Sequence, residues 1–150
     1  MRVAVAEGGR LRWSGEPFVV ADGADVSRDL RLDLAEGTTV LLRETAVLGR
    51  AGQLGGVLRT RTRVHQEGRP VLVEDTELDP AGHRRSPGML GGLRVLDTLL
   101  ALGAEAPGAG VDGLTVFRLP GRRAHLARHL GPDLAGSPLH QVWAETLLTG

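Results

Sequence analysis

The sequence has no cysteine, no lysine and no tyrosine among its 150 residues. The lack of cysteine excludes disulfides, thiol nucleophiles and zinc thiolates. The lack of lysine excludes a Walker A lysine, Schiff-base chemistry and a lysine general base. Only two Phe and two Trp are present, which is too few rings for a base-stacking platform or an aromatic sugar-binding surface. Several classes of enzyme and of binding protein are therefore excluded.

The charges are balanced. Eighteen basic residues, all arginine, stand against 18 acidic residues, so the formal net charge is zero. Nucleic-acid binders and polybasic membrane anchors usually show a basic excess, so we expect neither partner. No apolar run reaches about 18 residues, and the N-terminus lacks the apolar stretch of a signal peptide. These features predict a soluble, cytoplasmic protein, and the length predicts a single domain over residues 1–150.

The first two-thirds of the chain has the pattern of a β protein. Its 22 glycines mark many turns between short segments in which apolar and polar residues alternate, as in 30–34. We expect strands over about residues 1–119. Segments 57–66 and 69–78 flank a Glu-Gly turn and predict a hairpin.

The predicted hairpin carries a row of arginines. Arg59, Arg61 and Arg63 share one face of its first strand, and the acids of segment 74–79 lie on or near its second strand. A cation site at those acids is one reading of the pattern. Cross-strand ion pairs on a solvated face are favoured.

The periodicity changes towards the C-terminus. Apolar residues in 121–131 are spaced as in a short helix that ends at a Gly-Pro pair. Ser137 and Pro138 suit the start of a second helix over 138–148. Within it, Trp143 is expected to hold the helix against the sheet. The predicted fold is therefore mainly β, with two C-terminal α-helices.

The histidines offer candidate metal ligands. His125 and His129 have the i, i+4 spacing of two ligands on a helix, but the catalytic glutamate of a zincin is missing and nearby arginines would repel a cation. A basic helix face is the alternative interpretation. His65, together with acids near residue 75, would suit a small metal-dependent β-barrel enzyme. His83 and His140 show no ligand-like spacing.

Sequence motifs of common enzymes are absent. There is no Gly-x-Ser-x-Gly, and the glycine-rich stretch that begins at Gly49 opens no helix pattern, so the dinucleotide fingerprint fails. On residue chemistry alone, we expect a β-rich domain that is not an enzyme.

One succession of motifs is more specific. Residues 44–50 read Glu-Thr-Ala-Val-Leu-Gly-Arg; before them come Gly-x-Leu-x-Trp, Glu-Pro and Gly-Ala, and after them comes Arg-x-Arg-Val-x-x-x-Gly-Arg-Pro-Val. Over about residues 8–80 this order resembles the D-type urease accessory proteins (UreD, called UreH in some bacteria). Members of that family have a further N-terminal half that matches nothing here. The resemblance is therefore to the C-terminal portion of the family.

The resemblance implies a fold and a function. The fold would be a β-helix-like stack of short strands with C-terminal helices. The protein would not be an enzyme. It would be a scaffold on the urease apoenzyme, acting with an F-type helical accessory protein and a G-type GTPase so that nickel reaches the urease active site. No stably bound cofactor is expected, with nickel at most in transit.

The resemblance also selects residues. Glu44, Gly49 and Arg50 match the family's motif, either as residues that shape a turn or as partner contacts, and Trp143 is a further candidate contact. Two alternatives stay open: the small metal-dependent enzyme, with His65, His125 and His129 as candidate ligands, and a structural β-domain unrelated to nickel delivery.

Overall fold

The computed structural model describes residues 1–80, 82, 86–88 and 90–146. Within them the chain forms ten strands and one helix, so the mainly β fold is confirmed. The strands are β1 (Arg2–Val5), β2 (Arg10–Ser14), β3 (Phe18–Val20), β4 (Asp25–Leu34), β5 (Thr39–Leu48), β6 (Val57–Gln66), β7 (Arg69–Leu78), β8 (Val95–Leu102), β9 (Thr115–Arg118) and β10 (Ala124–Gly131), and the helix is α1 (Leu139–Glu145).

The strands form two sheets. The four-stranded sheet has the order β1-β4-β6-β7, and the six-stranded sheet has the order β2-β5-β8-β10-β9, with β3 also paired to β5. From β1 to β6 the chain passes back and forth between the sheets, with β2 and β3 both in the six-stranded sheet, and neighbouring strands are parallel. The remaining pairs are antiparallel. Because both sheets continue in antiparallel pairs, the prediction of a β-helix-like stack is not confirmed.

The predicted hairpin is confirmed with its bounds, as β6 and β7. Its turn residues Glu67 and Gly68 have φ values of 50° and 76°, which is the left-handed pair that a two-residue type I′ turn requires. The turn matches the twist of the flanking strands, and their register shifts once, between Val64 and His65. The alternating pattern of β6 therefore places its arginines on the outer face.

The core lies between the two sheets and has two parts. One apolar cluster includes Leu32, Val40 and Val64. The other includes Leu48 and Leu58. All five side chains are at most 1% exposed, and burial of such side chains is the main favourable term in folding. The strand segments that lie between the two clusters carry polar residues on their inner faces.

The prediction of a helix over 121–131 is wrong, because strand β10 occupies this segment. Leu126, on one face of β10, joins the inter-sheet core, whereas Ala127, on the other face, packs with Leu139 of α1. A strand that is covered on both faces does not alternate between apolar and polar residues. Its apolar positions therefore imitate a helical period.

The second predicted helix is present as α1, which is shorter than the predicted 138–148; residues 147 and 148 lie outside the described residues. Ser137 lies before the helix, and its hydroxyl accepts a hydrogen bond from the backbone N–H of Leu139 at 3.3 Å. Leu139 is fully buried. The helix packs across the outer face of the six-stranded sheet, on β8.

Candidate functional site in a polar belt between the sheets

A belt of polar side chains crosses the interior between the two apolar clusters. On the four-stranded sheet, paired positions place Arg28 beside Thr60, Thr60 beside Thr76, and Thr62 beside Glu74. On the six-stranded sheet, Glu44 and Arg128 flank Thr98. The members of this polar belt are therefore Arg28, Thr60, Thr62, Glu74 and Thr76 of one sheet and Glu44, Thr98 and Arg128 of the other.

Two ion pairs join the sheets across the polar belt. Arg28 Nη2 lies 2.6 Å from Glu44 Oε1. Arg128 donates two hydrogen bonds to Glu74, at 3.0 and 2.9 Å. In the first pair the arginine belongs to the four-stranded sheet, and in the second to the six-stranded sheet. The two pairs thus bridge the sandwich with opposite polarity, and each carboxylate has a guanidinium beside it.

The polar belt lines a cavity of about 250 Å³, whose walls also include apolar residues such as Leu58 and Leu90. A second cavity, of about 380 Å³, shares Arg28, Glu44, Thr60 and Thr62 with it. Both have room for several water molecules. Both members of the Arg28–Glu44 pair are among the shared residues, so the pair lies at the boundary between the two cavities.

A second polar cluster lies on the outer face of the six-stranded sheet, under α1. Asp97 is fully buried and accepts four hydrogen bonds. Arg43 donates two, from Nε at 3.1 Å and Nη2 at 2.7 Å. Thr45 and Ser137 donate one each, at 2.9 and 2.6 Å. Arg43 Nη1 also lies 3.3 Å from His140 Nδ1. The cluster joins β5 and β8 to the start of the helix.

The protonation of Asp97 reflects two opposing effects. Burial acts to raise its pKa, whereas the hydrogen bonds from Arg43, Ser137 and Thr45 and the charge of Arg43 lower it. The net pKa lies below the ordinary value of 3.8. Asp97 is therefore an ionised structural group. Sequence reasoning missed it, although a single carboxylate inside the apolar run Leu93–Ala101 was a usable signal, because such a charge must find partners when it is buried.

The structure separates the three matched motif residues. Glu44 faces the polar belt. Gly49 has φ 84° and forms a turn, where a Cβ would lie 2.7 Å from the carbonyl oxygen of Gln53. Arg50 follows on the surface, and within the described part of the chain its side chain makes no ion pair or hydrogen bond. One motif therefore supplies an interior carboxylate, a turn that only glycine fits and an exposed cation.

Trp143 packs against the outer face of the six-stranded sheet, where it contacts two small apolar clusters. The guanidinium carbon of Arg12 lies 4.2 Å from the centroid of its ring, and Arg12 Nη2 donates to the Trp143 carbonyl at 2.6 Å. The predicted packing of the tryptophan against the sheet is thus present. Its internal contacts explain the residue without a partner protein.

The helical histidine pair does not exist, because His125 and His129 lie on strand β10. Four residues along a strand span about 13 Å, too far for one metal ion. His129 is 8% exposed, and its Nδ1 donates to the carbonyl of Gly113 at 2.8 Å. Its Nε2 is buried without a partner among the described residues.

His65 does not converge with the acids near residue 75. In the hairpin register His65 pairs with Pro70, whereas Asp75 pairs with Arg61. The arginine row pairs with acids instead: Arg59 with Glu77, and both Arg61 and Arg63 with Asp75. Cross-strand pairing on a solvated face is confirmed. Over the described ranges, no three His, Asp or Glu side chains are grouped so that they could hold a metal ion.

In its described part, then, the molecule is a two-sheet β protein with a polar interior whose charged groups neutralise one another. No helix there is long and apolar enough to cross a membrane. The model of the UreD urease accessory protein family matches residues 1–145, and the chain belongs to this family. The resemblance seen in the motifs is therefore confirmed.

Curated relatives agree. The chain is 46% identical over 144 residues to urease accessory protein UreD 1 of Streptomyces griseus, an alignment that covers 95% of this chain and 56% of the relative. It is 34% identical over 141 residues to UreD of Streptomyces coelicolor (89% and 55%) and 33% identical over 174 residues to UreD 3 of Methylorubrum extorquens (95% and 58%). The chain spans about half the length of these curated relatives.

Proposed function

We propose that the chain is a non-catalytic scaffold for urease maturation in the cytoplasm. It acts on the urease apoenzyme together with an F-type helical accessory protein and a G-type GTPase, and the assembly inserts nickel into urease. The observation that carries the proposal is the family match over residues 1–145. The geometry supports it, because the charged groups of the polar belt are paired with one another rather than arranged as nucleophile and base.

Nickel is cargo in this proposal, and the polar belt is its candidate route. The polar belt offers carboxylate and hydroxyl oxygens in a cavity that water can fill, whereas the apolar clusters on either side offer none. A permanent nickel site would need several converging donors, and no such group occurs in the described ranges. Passage without retention therefore fits the residues better than storage.

Arg50 is the proposed partner contact of the motif. Its side chain is exposed next to a turn whose backbone is held by hydrogen bonds from Gly49 N to Val20 O at 2.8 Å and from Gln53 N to Arg50 O at 3.0 Å. Arginine is enriched at the centres of protein interfaces because its planar guanidinium makes several hydrogen bonds at once. A fixed backbone also lowers the entropy lost when the side chain is immobilised.

Co-purification tests the proposal. The tagged chain is co-expressed with the urease subunits and the F-type and G-type proteins of the same organism, and the mixture is analysed by size exclusion with nickel determination. We expect one co-eluting complex whose urease acquires nickel. A folded chain that elutes alone in the presence of all these proteins contradicts the proposal.

The polar belt is tested in the same assay. Glu44→Gln removes the carboxylate that lines both cavities, so we expect the complex to form with less nickel in urease. Glu77→Gln is the matched control, because Glu77 pairs with Arg59 on the outer, exposed face of the hairpin. Equal nickel contents with both variants would exclude the polar belt as the route.

A further inference from the structure

The two interior ion pairs are not equally held. Arg128 and Glu74 meet through two parallel hydrogen bonds, a fork geometry that is among the strongest side-chain pairings. Arg28 makes a single hydrogen bond to Glu44, and its side chain is 35% exposed. The Arg28–Glu44 pair is therefore the weaker of the two links across the polar belt.

The weaker pair also occupies the more consequential position. Arg28 and Glu44 line both cavities, whereas Glu74 and Arg128 line only the first of them. If Arg28 leaves Glu44, the boundary between the two cavities loses its ion pair, and the connection between the cavities becomes wider. The interior would then offer a continuous polar path between the sheets.

Arg28 has a second contact that it can keep when the ion pair opens. Its guanidinium carbon lies 5.2 Å from the centroid of the Phe18 ring, within the range of a cation–π interaction. The ring face attracts the guanidinium without neutralising it. Phe18 lies on β3, beside the strand that carries Glu44, so an arginine that leaves the carboxylate can keep a favourable contact with this neighbouring ring.

We propose that Arg28 is a gate: a tethered counter-cation that closes the boundary between the two cavities by pairing with Glu44 and that a divalent cation must displace to pass. The inference rests on the proposed function, in which nickel is the cargo. The guanidinium and the metal ion compete for the same carboxylate. The ion gains a ligand only while Arg28 is displaced and loses it when Arg28 returns.

The gate accounts for passage without retention. A carboxylate that is already neutralised by a guanidinium attracts a second cation far less than a free carboxylate does, and the difference is large where water is partly excluded. Wild-type chain is thus expected to bind a divalent cation weakly. Removal of the tethered charge should turn Glu44 into a binding group.

The test measures binding of Ni²⁺ alone to the purified 150-residue chain by equilibrium dialysis. The variant Arg28→Gln removes the charge but keeps an N–H donor for Glu44. We expect its dissociation constant for Ni²⁺ to be at least about tenfold lower than that of the wild type. Circular dichroism verifies that each variant is folded. Arg28→Met, which keeps the aliphatic stem, replaces the Gln variant if the latter does not fold, with the same expectation.

Two controls isolate the gate. Arg2→Gln makes the same chemical change on the outer face of the same sheet, where Arg2 pairs with Asp33 and lines neither cavity, and should leave Ni²⁺ binding unchanged. The double variant Arg28→Gln/Glu44→Gln keeps the shape of the pair without its carboxylate, and should lose the gain. A dissociation constant for Arg28→Gln within about twofold of the wild type overturns the gate. Failure of the proposed function has a different signature, because it shows as a wild-type chain that does not co-elute with urease.

Discussion

The backbone conformation and the close neighbours of Gly49 determine that this position must be a glycine. Its φ of 84° lies in the left-handed region, and a Cβ there would meet Gln53 O at 2.7 Å and Gly55 N at 2.8 Å. These neighbours are backbone atoms, which cannot swing away as side-chain ends can. Of the two interpretations of the motif glycine, the turn-shaping one therefore has a direct physical basis.

The substitution Gly49→Ala is expected to destabilise the protein strongly. Left-handed backbone strain and the backbone clash add, and together they should lower the free energy of unfolding by at least about 3 kcal/mol. Gly52→Ala is the matched control, since Gly52 has φ 76° in the same loop and an open space around its missing Cβ. It should cost only about 1 kcal/mol of strain. Urea unfolding measures the free energy of unfolding of both variants. An equal decrease in the two would mean that the backbone around Gly49 moves to relieve the clash with the added Cβ.

Asp97 predicts a pH dependence of stability. Because its pKa in the folded state lies below the ordinary 3.8, its ionised form stabilises the fold at pH above about 4. This contribution is lost as the pH falls from about 4 through the lowered pKa. The variant Asp97→Asn leaves Arg43 as an uncompensated buried charge and should cost about 3–5 kcal/mol at pH 7.

The comparison of the two proteins across pH isolates this group. Asp33 and Asp75 also have lowered pKa values, but they lie on the four-stranded sheet, away from Asp97, and we expect them to titrate alike in the wild type and in Asp97→Asn. We therefore expect the stability difference between the two proteins to narrow as the pH falls below 4. Urea titrations at pH 3, 4 and 7 measure it. A difference that stays constant over this range would exclude the assigned role of Asp97.

At the level of elements, the sequence predicts a strand best where one of its faces is buried and the other is exposed to solvent. In β6 and β7 the alternation is clear and the turn is specific, so the bounds and the outward arginines follow from the residues, whereas the register shift between Val64 and His65 does not. In β10 both faces are covered, one by the core and one by α1. The covering helix is distant in the sequence, so a local periodicity cannot reveal it.

The candidate site could likewise be predicted only in part from the sequence. Glu44 is selected by its motif, but its partner Arg28 lies 16 residues away on the other sheet. The sequence pattern places Glu74 among the acids that pair on the solvated face of the hairpin. In the structure, Glu74 lies on the inner face of β7 and pairs with Arg128. Pairing between sheets depends on how the sheets face each other, which no spacing in the sequence encodes. The polar belt could therefore be recognised only in the folded protein.

Helix α1 is expected to depend on Trp143 for its docking. The variant Trp143→Ala removes the ring that packs on the sheet and under Arg12. It should lower the free energy of unfolding by about 3 kcal/mol. This is the lower end of the range for tryptophan, because the ring is partly exposed. Phe117→Ala is a control at an aromatic residue that is 45% exposed, with an expected loss below about 1 kcal/mol. Urea unfolding followed by circular dichroism compares them. Similar losses would mean that the ring contributes little to docking.

On the scale of the whole molecule, the polar belt interrupts what could have been one continuous core. Replacing a partly buried ion pair by apolar residues of similar volume is often neutral or stabilising, so the Arg28–Glu44 and Glu74–Arg128 pairs are poor explanations of stability. They divide the core into two clusters and leave cavities between them. Stability alone therefore does not explain the polar belt, whereas the proposed function gives it a role as the route of the ion.

The proposed function also requires a surface that binds the partner proteins, and substitution of Arg50 tests whether this residue belongs to that surface. Since its side chain is exposed and makes no ion pair or hydrogen bond with the described residues, Arg50→Ala should change the free energy of unfolding by less than about 0.5 kcal/mol. As an interface arginine it should nevertheless weaken binding to the urease assembly by about 2 kcal/mol, or roughly 30-fold. Arg118→Ala is the control, because Arg118 is also exposed and without an ion pair in the described part, but lies on the edge strand β9. Titration of the tagged chain against the co-purified partners measures both affinities. If the Arg50 and Arg118 variants bind alike, the partner surface lies elsewhere, and the motif acts only through its turn and its interior carboxylate.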